Sequence, residues 1–224
     1  MTDLTARYHD REILTVSHGI KRAMDILGAV LGLVLTSPVF LLLMMLMTFA
    51  GAPLFFRQRR IGRGGVVFDC LKFRTMAVDA EASISAVLGA DRNAADHWAQ
   101  RQKLRHDPRI TPLGRHLRRW GIDELPQLIN VLRGEMSLVG PRPVITPDNR
   151  GYPADRAYAD SLAFQAYLRV RPGITGLWQV RGGADLPYRH RVSLDQRYVR
   201  SWSLGLDIWI LAVTPLALLR RKSF

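Results

Sequence analysis

The chain has 224 residues, 48% of them hydrophobic, and its 32 Lys and Arg against 19 Asp and Glu give a net charge of +13. The hydrophobic fraction excludes a disordered chain. The single Cys70 excludes a disulfide framework within the chain, and the six scattered histidines lack the spacing of zinc ligands. The basic charge is compatible with two anionic partners, which are nucleic acid or a membrane surface with phosphate-bearing substrates.

The N-terminal part divides into two segments. Residues 1–22 are polar and of mixed charge, and we expect an interfacial segment there. We expect a membrane helix over 23–53, because residues 26–56 carry no charged side chain and exceed the roughly 20 residues that a membrane-spanning helix needs. A cleaved signal peptide does not fit, since the apolar stretch is too long and has a proline at its centre. A single span and a re-entrant helix-break-helix are the two remaining interpretations.

Ser37 and Pro38 lie in the middle of this apolar stretch. Proline lacks the N–H that continues a helix, so we expect a kink there, and the hydroxyls of Thr36 and Ser37 can bond the freed carbonyls. Basic residues flank the stretch on both sides, which favours a cytoplasmic location for both ends. They are Lys21, Arg22, Arg57, Arg59, Arg60 and Arg63. Kink and charge together favour the re-entrant helix, and a kinked single span stays open.

The remainder, 54–224, is predicted to be a catalytic domain, small and mostly helical, so that the fold class is α+β. Residues 54–73 are typical of a β-hairpin with its turn at 62–65. The glycines of that turn lack the context of known phosphate-binding loops, so a plain turn is favoured. Helices are predicted over 77–104, 123–133 and 155–169. Residues 208–219 are uncharged, too short to span a membrane and followed by three basic residues, as in an interfacial helix.

Asp123 and Glu124 form an acidic pair in a basic neighbourhood. One interpretation is structural, with Asp123 as the N-cap of the following helix and Glu124 complementing the helix dipole. The other is chemical, because an ionised carboxylate at a helix start can act as a nucleophile toward phosphorus or as a magnesium ligand. The residues leave both interpretations open, and both can hold at once.

Arg142 lies between Pro141 and Pro143, which leave its backbone few conformations. A guanidinium on such a rigid segment would be a preorganised fork for phosphate. A surface arginine in a turn explains the triplet equally well.

Several segments, in a fixed order, connect the chain with a known family. They are Lys21-Arg22 with Asp25 ahead of the apolar stretch broken at Ser37-Pro38, KFRTM at 72–76, DELPQLINVLRGEMSLVGPRP at 123–143 and RPGITGLWQ at 171–179. Over residues 18–215 the chain resembles the bacterial sugar transferases, also called monotopic phosphoglycosyl transferases. The Ser-Pro pair corresponds to the break in the re-entrant helix of that family.

This resemblance implies transfer of a sugar 1-phosphate from a UDP-sugar to polyprenyl (undecaprenyl) phosphate at the cytoplasmic face of the bacterial inner membrane. The products would be UMP and a polyprenyl-diphospho-sugar that initiates surface or exopolysaccharide synthesis. The resemblance implies Asp123 as the nucleophile of a covalent aspartyl-phosphosugar intermediate, with Glu124 and Mg²⁺ at the same site. The candidate phosphate-binding residues are Lys72, Arg74, Arg118 and Arg142.

One position departs from the family pattern. After Gln179 and Val180 the family continues with Asn or Ser, then Gly, then an arginine expected to help bind the nucleotide sugar. This chain has Arg181, Gly182 and Gly183 instead, so that either Arg181 takes over from a shifted position or the donor is held differently. A catalytically weak paralogue acting as a membrane adaptor is the alternative function. Nucleic-acid binding is disfavoured, because no recognition motif is present.

Overall fold

The structure is a computed structural model that describes residues 2–49, 53–77, 107–146, 163–183 and 186–219. It also describes the single residues or pairs 88–89, 98, 104, 155, 158–159 and 161, and it describes side chains from residue 17 onward. Most of the helix predicted over 77–104 and much of the one predicted over 155–169 therefore lie outside the described residues.

The described chain combines helices with short strands, as predicted. The helices are α1 (Thr2–Phe49), α2 (Pro112–Trp120), α3 (Gln127–Arg133), α4 (Phe164–Tyr167), α5 (Leu177–Val180), α6 (Tyr188–Arg200) and α7 (Leu204–Leu219). The strands are β1 (Phe55–Ile61), β2 (Val67–Phe73), β3 (Ser137–Val139), β4 (Val144–Ile145) and β5 (Gly173–Thr175). Short 3₁₀ turns occupy Arg63–Gly65 and Ile122–Glu124.

The hairpin predicted over 54–73 is confirmed, since β1 and β2 pair antiparallel from Phe55 opposite Phe73 to Ile61 opposite Val67. Strand β4 pairs with the other edge of β1, giving a three-stranded sheet in the order β2-β1-β4. Strands β3 and β5 form a separate parallel pair. The two sheets hold the segments on either side of Arg142, because β3 ends just before it and β4 begins just after it.

Helix α1 stays helical across the expected boundary at residue 22 and through Ser37 and Pro38. The helical backbone is continuous at this pair, and the re-entrant topology stays a prediction. Pro38 cannot donate to the Val34 carbonyl, but the Ser37 hydroxyl donates to that oxygen at 2.8 Å. The Thr36 hydroxyl likewise donates to the Gly32 carbonyl at 2.7 Å. The sequence predicts these side-chain hydrogen bonds. The bond from Ser37 gives a donor to the backbone carbonyl that Pro38 cannot bond.

Both halves of α1 pack against the rest of the chain. In the first half, Ala29 is fully buried in a core cluster with Phe68 of β2 and Val131 of α3. In the second half, Leu43 is buried against Phe73 and Leu117. The opposite face of the helix is left uncovered, with Leu27, Val30, Leu31, Val34, Leu35, Leu41, Leu42, Met45 and Phe49 among its exposed side chains. Of the described residues, Ser17–Phe49 forms the one helical stretch long and apolar enough to cross a membrane.

A buried polar network fixes the polar end of α1. Lys21 Nζ donates to Asp207 Oδ2 at 2.7 Å and to the Val139 carbonyl at 3.1 Å. Asp207, at the start of α7, has no exposed surface and also accepts hydrogen bonds from the Tyr198 hydroxyl at 2.7 Å and the Trp202 indole at 3.1 Å. One carboxylate thereby joins α1, the end of α6 and α7.

The structural interpretation of Asp123 as a helix N-cap is wrong. Helix α3 begins at Gln127 with Pro126 in the N-cap position, and Asp123 belongs to the separate 3₁₀ turn before it. The helical repeat of Leu125, Leu128 and Leu132 is continuous across the junction, which is why the sequence suggests one element. The predicted end of the helix is confirmed, since Gly134 adopts a left-handed conformation with φ 83° directly after Arg133.

We expect Asp207→Ala to destabilise the protein by roughly 3 kcal/mol, because it removes the carboxylate closest to the largely buried Lys21 ammonium and leaves only the more distant Asp25, at 4.0 Å. A difference of 1 kcal/mol shifts the Tm of a domain of this size by about 2–4 °C, so thermal unfolding in detergent will resolve the loss. Asp69→Ala, which removes a carboxylate from an exposed position on β2, is the matched control. Equal melting temperatures for the two variants would contradict a structural role for the network.

Candidate active site

The acidic pair lies on a tight connection between two helices. Helix α2 ends at Trp120, and Gly121 follows in a left-handed conformation with φ 68°, which any residue with a Cβ adopts only with strain. The chain then makes the 3₁₀ turn that carries Asp123 and Glu124. Asp123 is 8% exposed, whereas the side chain of Glu124 is 31% exposed. The backbone thus presents Glu124 to the surroundings and keeps Asp123 close to the interior.

Lys72 of β2 is the cation beside this pair. Its Nζ lies 2.9 Å from Glu124 Oε1, and both side chains are partly exposed. Successive strand residues point to opposite faces of the sheet, and position 72 lies on the face that is turned toward Glu124. The hairpin predicted from sequence therefore carries Lys72 to the acidic pair, as a phosphate-binding role requires.

A small polar cavity opens next to Glu124. Its lining includes three basic side chains, those of Arg60, Lys72 and Arg142, and one carboxylate, that of Glu124. The remaining lining residues are Cys70, Gln127, Pro143, Gly173, Ile174, Trp178 and Gln179. A cavity in which cations outnumber carboxylates stabilises bound anions, and most strongly where burial lowers the local dielectric. Burial also raises the pKa of the Cys70 thiol, which keeps that wall of the cavity neutral.

Arg60 reaches this cavity from the middle of β1. Its Nη1 donates to the Pro143 carbonyl at 2.6 Å, and its Nη2 donates to Gln58 Oε1. Its buried Nε has no hydrogen-bond partner among the described residues. A buried donor without an acceptor costs free energy unless a ligand supplies one. Arg60 therefore retains both its charge and one donor for an anion.

Arg142 is held in place without a direct ion pair to the acidic pair. Its backbone N–H donates to Asp195 Oδ2 at 3.2 Å, and its guanidinium carbon lies 5.3 Å from the ring centroid of Trp178. The guanidinium of Arg191 lies over the same ring at 5.6 Å. The Nε of Arg142 is buried with no partner among the described residues. The aromatic ring thus orients the cation and leaves hydrogen-bond donors of Arg142 available.

A second cavity of about 330 Å³ lies on the other side of Glu124 and is largely apolar. Thr36 and Val39 of α1 form part of one wall, and Thr214, Ala217 and Leu218 of α7 form part of another. The rest of its lining comprises Trp120, Gly121, Ile122, Glu124, Leu125, Leu128, Ile174, Thr175 and Gln179. Glu124, Ile174 and Gln179 line both cavities, so the two meet at the acidic pair.

The structure brings together some of the residues expected at the site and separates others. Glu124, Lys72 and Arg142 line the polar cavity. Asp123 adjoins Glu124 but is not part of the lining of either cavity. The other three arginines also lie outside both linings. Arg118 Nε donates to Thr75 Oγ1 at 2.8 Å, Arg74 lies over the Phe56 ring, and Arg181 lies over the Trp209 ring of α7.

Sequence reasoning missed several residues of the polar cavity. The sequence marks Arg60 only as a charge that flanks the apolar stretch. In the structure Gln58 and Arg60 are buried at alternate positions of β1, and this period-two pattern marks one face of the strand. Trp178 lies inside the RPGITGLWQ segment, and its position in this family motif is the only feature of the sequence that marks it as a site residue. Asp195 occupies an ordinary position in the polar helix α6, and nothing in the sequence distinguishes it.

Within the described residues, no group of three or more His, Cys, Asp and Glu side chains forms a metal cage. Mg²⁺ is commonly held by one or two carboxylates together with substrate phosphates. The adjacent carboxylates of Asp123 and Glu124, beside a cavity rich in cations, fit that mode of binding.

Comparison with known proteins assigns the chain to a family. The sequence model described as bacterial sugar transferase matches residues 16–221. The chain is a member of this family. Among its relatives, the exopolysaccharide production protein ExoY of Sinorhizobium fredii is 45% identical, over 91% of this chain and 88% of the relative.

Two further relatives are named for their reactions. The undecaprenyl-phosphate galactose phosphotransferase of Salmonella typhimurium is 42% identical, over 92% of this chain and 41% of the relative. The UDP-glucose:undecaprenyl-phosphate glucose-1-phosphate transferase of Caulobacter vibrioides is 41% identical, over 89% of this chain and 69% of the relative. The bacterial sugar transferase described here is therefore a sugar-phosphate transferase, and its apolar α1 indicates association with a membrane.

In this sugar transferase we expect Asp195→Asn to be nearly neutral for stability and Asp195→Leu to cost about 1–3 kcal/mol. Burial raises the pKa of the Asp195 carboxyl well above its usual range, which favours the neutral form, and an amide keeps an oxygen that can accept from the Arg142 N–H. Leucine removes that acceptor. Chemical unfolding of the two variants measures the difference, and equal destabilisation by Asn and Leu would show that the buried carboxylate is ionised.

Proposed function

We propose that the protein transfers a sugar 1-phosphate from a UDP-sugar to polyprenyl phosphate, giving UMP and a polyprenyl-diphospho-sugar that initiates polysaccharide synthesis. One observation carries the proposal, which is that Glu124 of the acidic pair lies where a cation-lined cavity meets an apolar cavity. The first suits a nucleoside diphosphate and the second suits a lipid. The reactions named for the relatives, with undecaprenyl phosphate as acceptor, support the same assignment.

The reaction proceeds in two displacements at phosphorus. A carboxylate oxygen of Asp123 attacks the phosphorus that bears the sugar, a new Asp–O–P bond forms, and the P–O bond to UMP breaks. A phosphate oxygen of the polyprenyl phosphate then attacks the same phosphorus and breaks the Asp–O–P bond, which restores the carboxylate. Arg60, Lys72 and Arg142 neutralise the charge on the phosphoryl oxygens and on the leaving UMP.

Mg²⁺ fits this site as a proposed cofactor, and Asp123 and Glu124 are the residues that would hold it. When bound, it supplies positive charge to the phosphoryl oxygens. Glu124 is paired with Lys72 at 2.9 Å, so the Glu124 carboxylate would interact with both Lys72 and the metal ion. Lys72 would then contribute a second positive charge next to the carboxylate that would hold the ion.

We also propose that both ends of the apolar stretch lie on the cytoplasmic side of the inner membrane, with the bend at Ser37 and Pro38. Lys21 and Leu43 of α1 both contact the rest of the domain, although about 33 Å of helix separates them at 1.5 Å per residue. That length is comparable to the hydrocarbon core of a bilayer. A span along the membrane normal would pull the polar domain into lipid, whereas a helix held along the membrane surface or returning to it does not.

We expect Asp123→Asn to abolish UMP release from UDP-sugars, by at least about a thousandfold, because an amide is a poor nucleophile toward phosphorus. The assay uses the full-length protein in liposomes with polyprenyl phosphate, Mg²⁺ and a panel of UDP-sugars, and EDTA is expected to stop the wild-type reaction. Asp69→Asn is the matched control, and both variants should remain bound to membranes. Undiminished UMP release by Asp123→Asn would refute the nucleophile. A wild-type protein inactive with every UDP-sugar would favour the membrane adaptor.

The topology predicts that single cysteines at positions 10 and 90 label from the same side of the membrane. Asp10→Cys and Ala90→Cys are each introduced into a Cys70→Ser background and treated with a membrane-impermeant maleimide in intact cells and in inverted vesicles. We expect both to react only in inverted vesicles. Labelling of the two positions from opposite sides would show that α1 is a single span.

A further inference from the structure

The apolar cavity is bounded by the two helices whose outer faces are apolar and uncovered. On α1 the exposed Leu35 and the exposed Leu42 flank the wall made by Thr36 and Val39. On α7 the exposed Leu216 and Leu219 flank the wall made by Ala217 and Leu218. The cavity is thus continuous with the surface that would face lipid, and its inner end is Glu124.

Most polar groups that line this cavity are bonded within the protein, and the exception is Gln179 Oε1, which is buried without a partner among the described residues. Thr214 Oγ1 lies 2.8 Å from Thr175 Oγ1, and the Thr36 hydroxyl donates to Gly32. The amide nitrogen of Gln179 donates to the Ile174 carbonyl at 3.0 Å. The lining contains no basic side chain. A nucleotide or diphosphate would find little to bind here, whereas an apolar chain loses nothing on entering.

We propose that this cavity binds the first isoprenoid units of the acceptor polyprenyl phosphate, with the lipid phosphate at the junction beside Glu124. The inference rests on the proposed function and goes beyond it, because it makes α1 a wall of the acceptor site in addition to a membrane anchor. The chain then leaves between Val39 of α1 and Leu218 of α7 toward the bilayer. The donor occupies the polar cavity on the other side of Glu124. The nucleotide sugar then reaches the acidic pair from water, and the polyprenyl phosphate reaches it from the membrane.

Matched substitutions on α7 test this assignment. Ala217→Phe fills the cavity, whereas Leu216→Phe adds the same ring at the neighbouring exposed position outside it. Two measurements are made, the exchange of labelled UMP with UDP-sugar, which needs no acceptor, and the KM for polyprenyl phosphate in the full reaction. We expect Ala217→Phe to raise the acceptor KM at least tenfold with exchange within about twofold of wild type. Leu216→Phe should change neither value by more than about twofold.

A second pair tests the wall on α1. Val39 lines the cavity, so Val39→Phe adds a ring inside it. Val34 lies on the exposed face of the same helix, so Val34→Phe adds the same ring outside it. We expect Val39→Phe to raise the acceptor KM and to preserve exchange, and Val34→Phe to resemble wild type. Exchange reports that a variant is folded and loads the donor, so it separates a blocked acceptor site from a damaged protein.

The outcomes are distinguishable. Unchanged acceptor KM in Ala217→Phe and Val39→Phe, with wild-type exchange, would overturn the inference and leave the proposed function intact. Loss of exchange in both variants, but not in Leu216→Phe and Val34→Phe, would assign the cavity to the donor and also overturn it. Absence of both exchange and transfer in the wild-type protein would instead refute the proposed function.

Discussion

The buried ion pair between Lys21 and Asp207 is the constraint on which the rest of the arrangement depends. It joins the start of the apolar stretch of α1 to the start of α7, and Tyr198 and Trp202 complete the hydrogen bonds of the carboxylate. A largely buried charge pair tolerates little displacement, because losing its short contact leaves buried charge poorly compensated. The pair therefore fixes how two apolar helices lie beside each other, and the space left between them is the apolar cavity.

The two arginines of the polar cavity make their close contacts with neutral groups. Arg60 donates to a carbonyl and to an amide oxygen, and the nearest carboxylate, Asp155 Oδ2, lies 4.0 Å from its Nη1. The Arg142 guanidinium lies on the ring of Trp178. A neutral partner orients an arginine at little electrostatic cost, so Arg142 keeps its attraction for phosphate and Arg60 keeps most of it. Lys72 differs, since it is paired with Glu124. It is consequently the one basic residue of this lining whose position responds to what the carboxylate binds.

The sequence predicts well what is encoded locally. The alternation and turn residues of the hairpin, the helical repeat that ends at Gly134 and the hydroxyls that support Pro38 each depend on neighbours within a few residues, and each is confirmed. The membrane helix is also predicted, and its backbone continues through Pro38, where the Ser37 hydroxyl donates to the Val34 carbonyl.

What the sequence could not show depends on contacts between distant segments. Arg60 and Trp178 come from different halves of the chain and meet only because β4 pairs with β1 and because β3 pairs with β5. The separation of Arg118, Arg74 and Arg181 from both cavities has the same origin, since each contacts a group on another element. A motif identifies residues that belong to a site, whereas the tertiary fold decides which of them face it.

At position 183 this chain has glycine where the family pattern has an arginine. Arg181 lies over Trp209 on α7, outside both cavity linings, so its guanidinium would have to leave that ring to reach a donor in the polar cavity. Arg60 and Arg142 already bring two guanidinium groups there, each with a buried Nε that lacks a partner among the described residues. Under the proposed function, the charge for a diphosphate would come from arginines that β1 and the Pro141-Arg142-Pro143 segment hold in place, and it would not depend on an arginine at position 183.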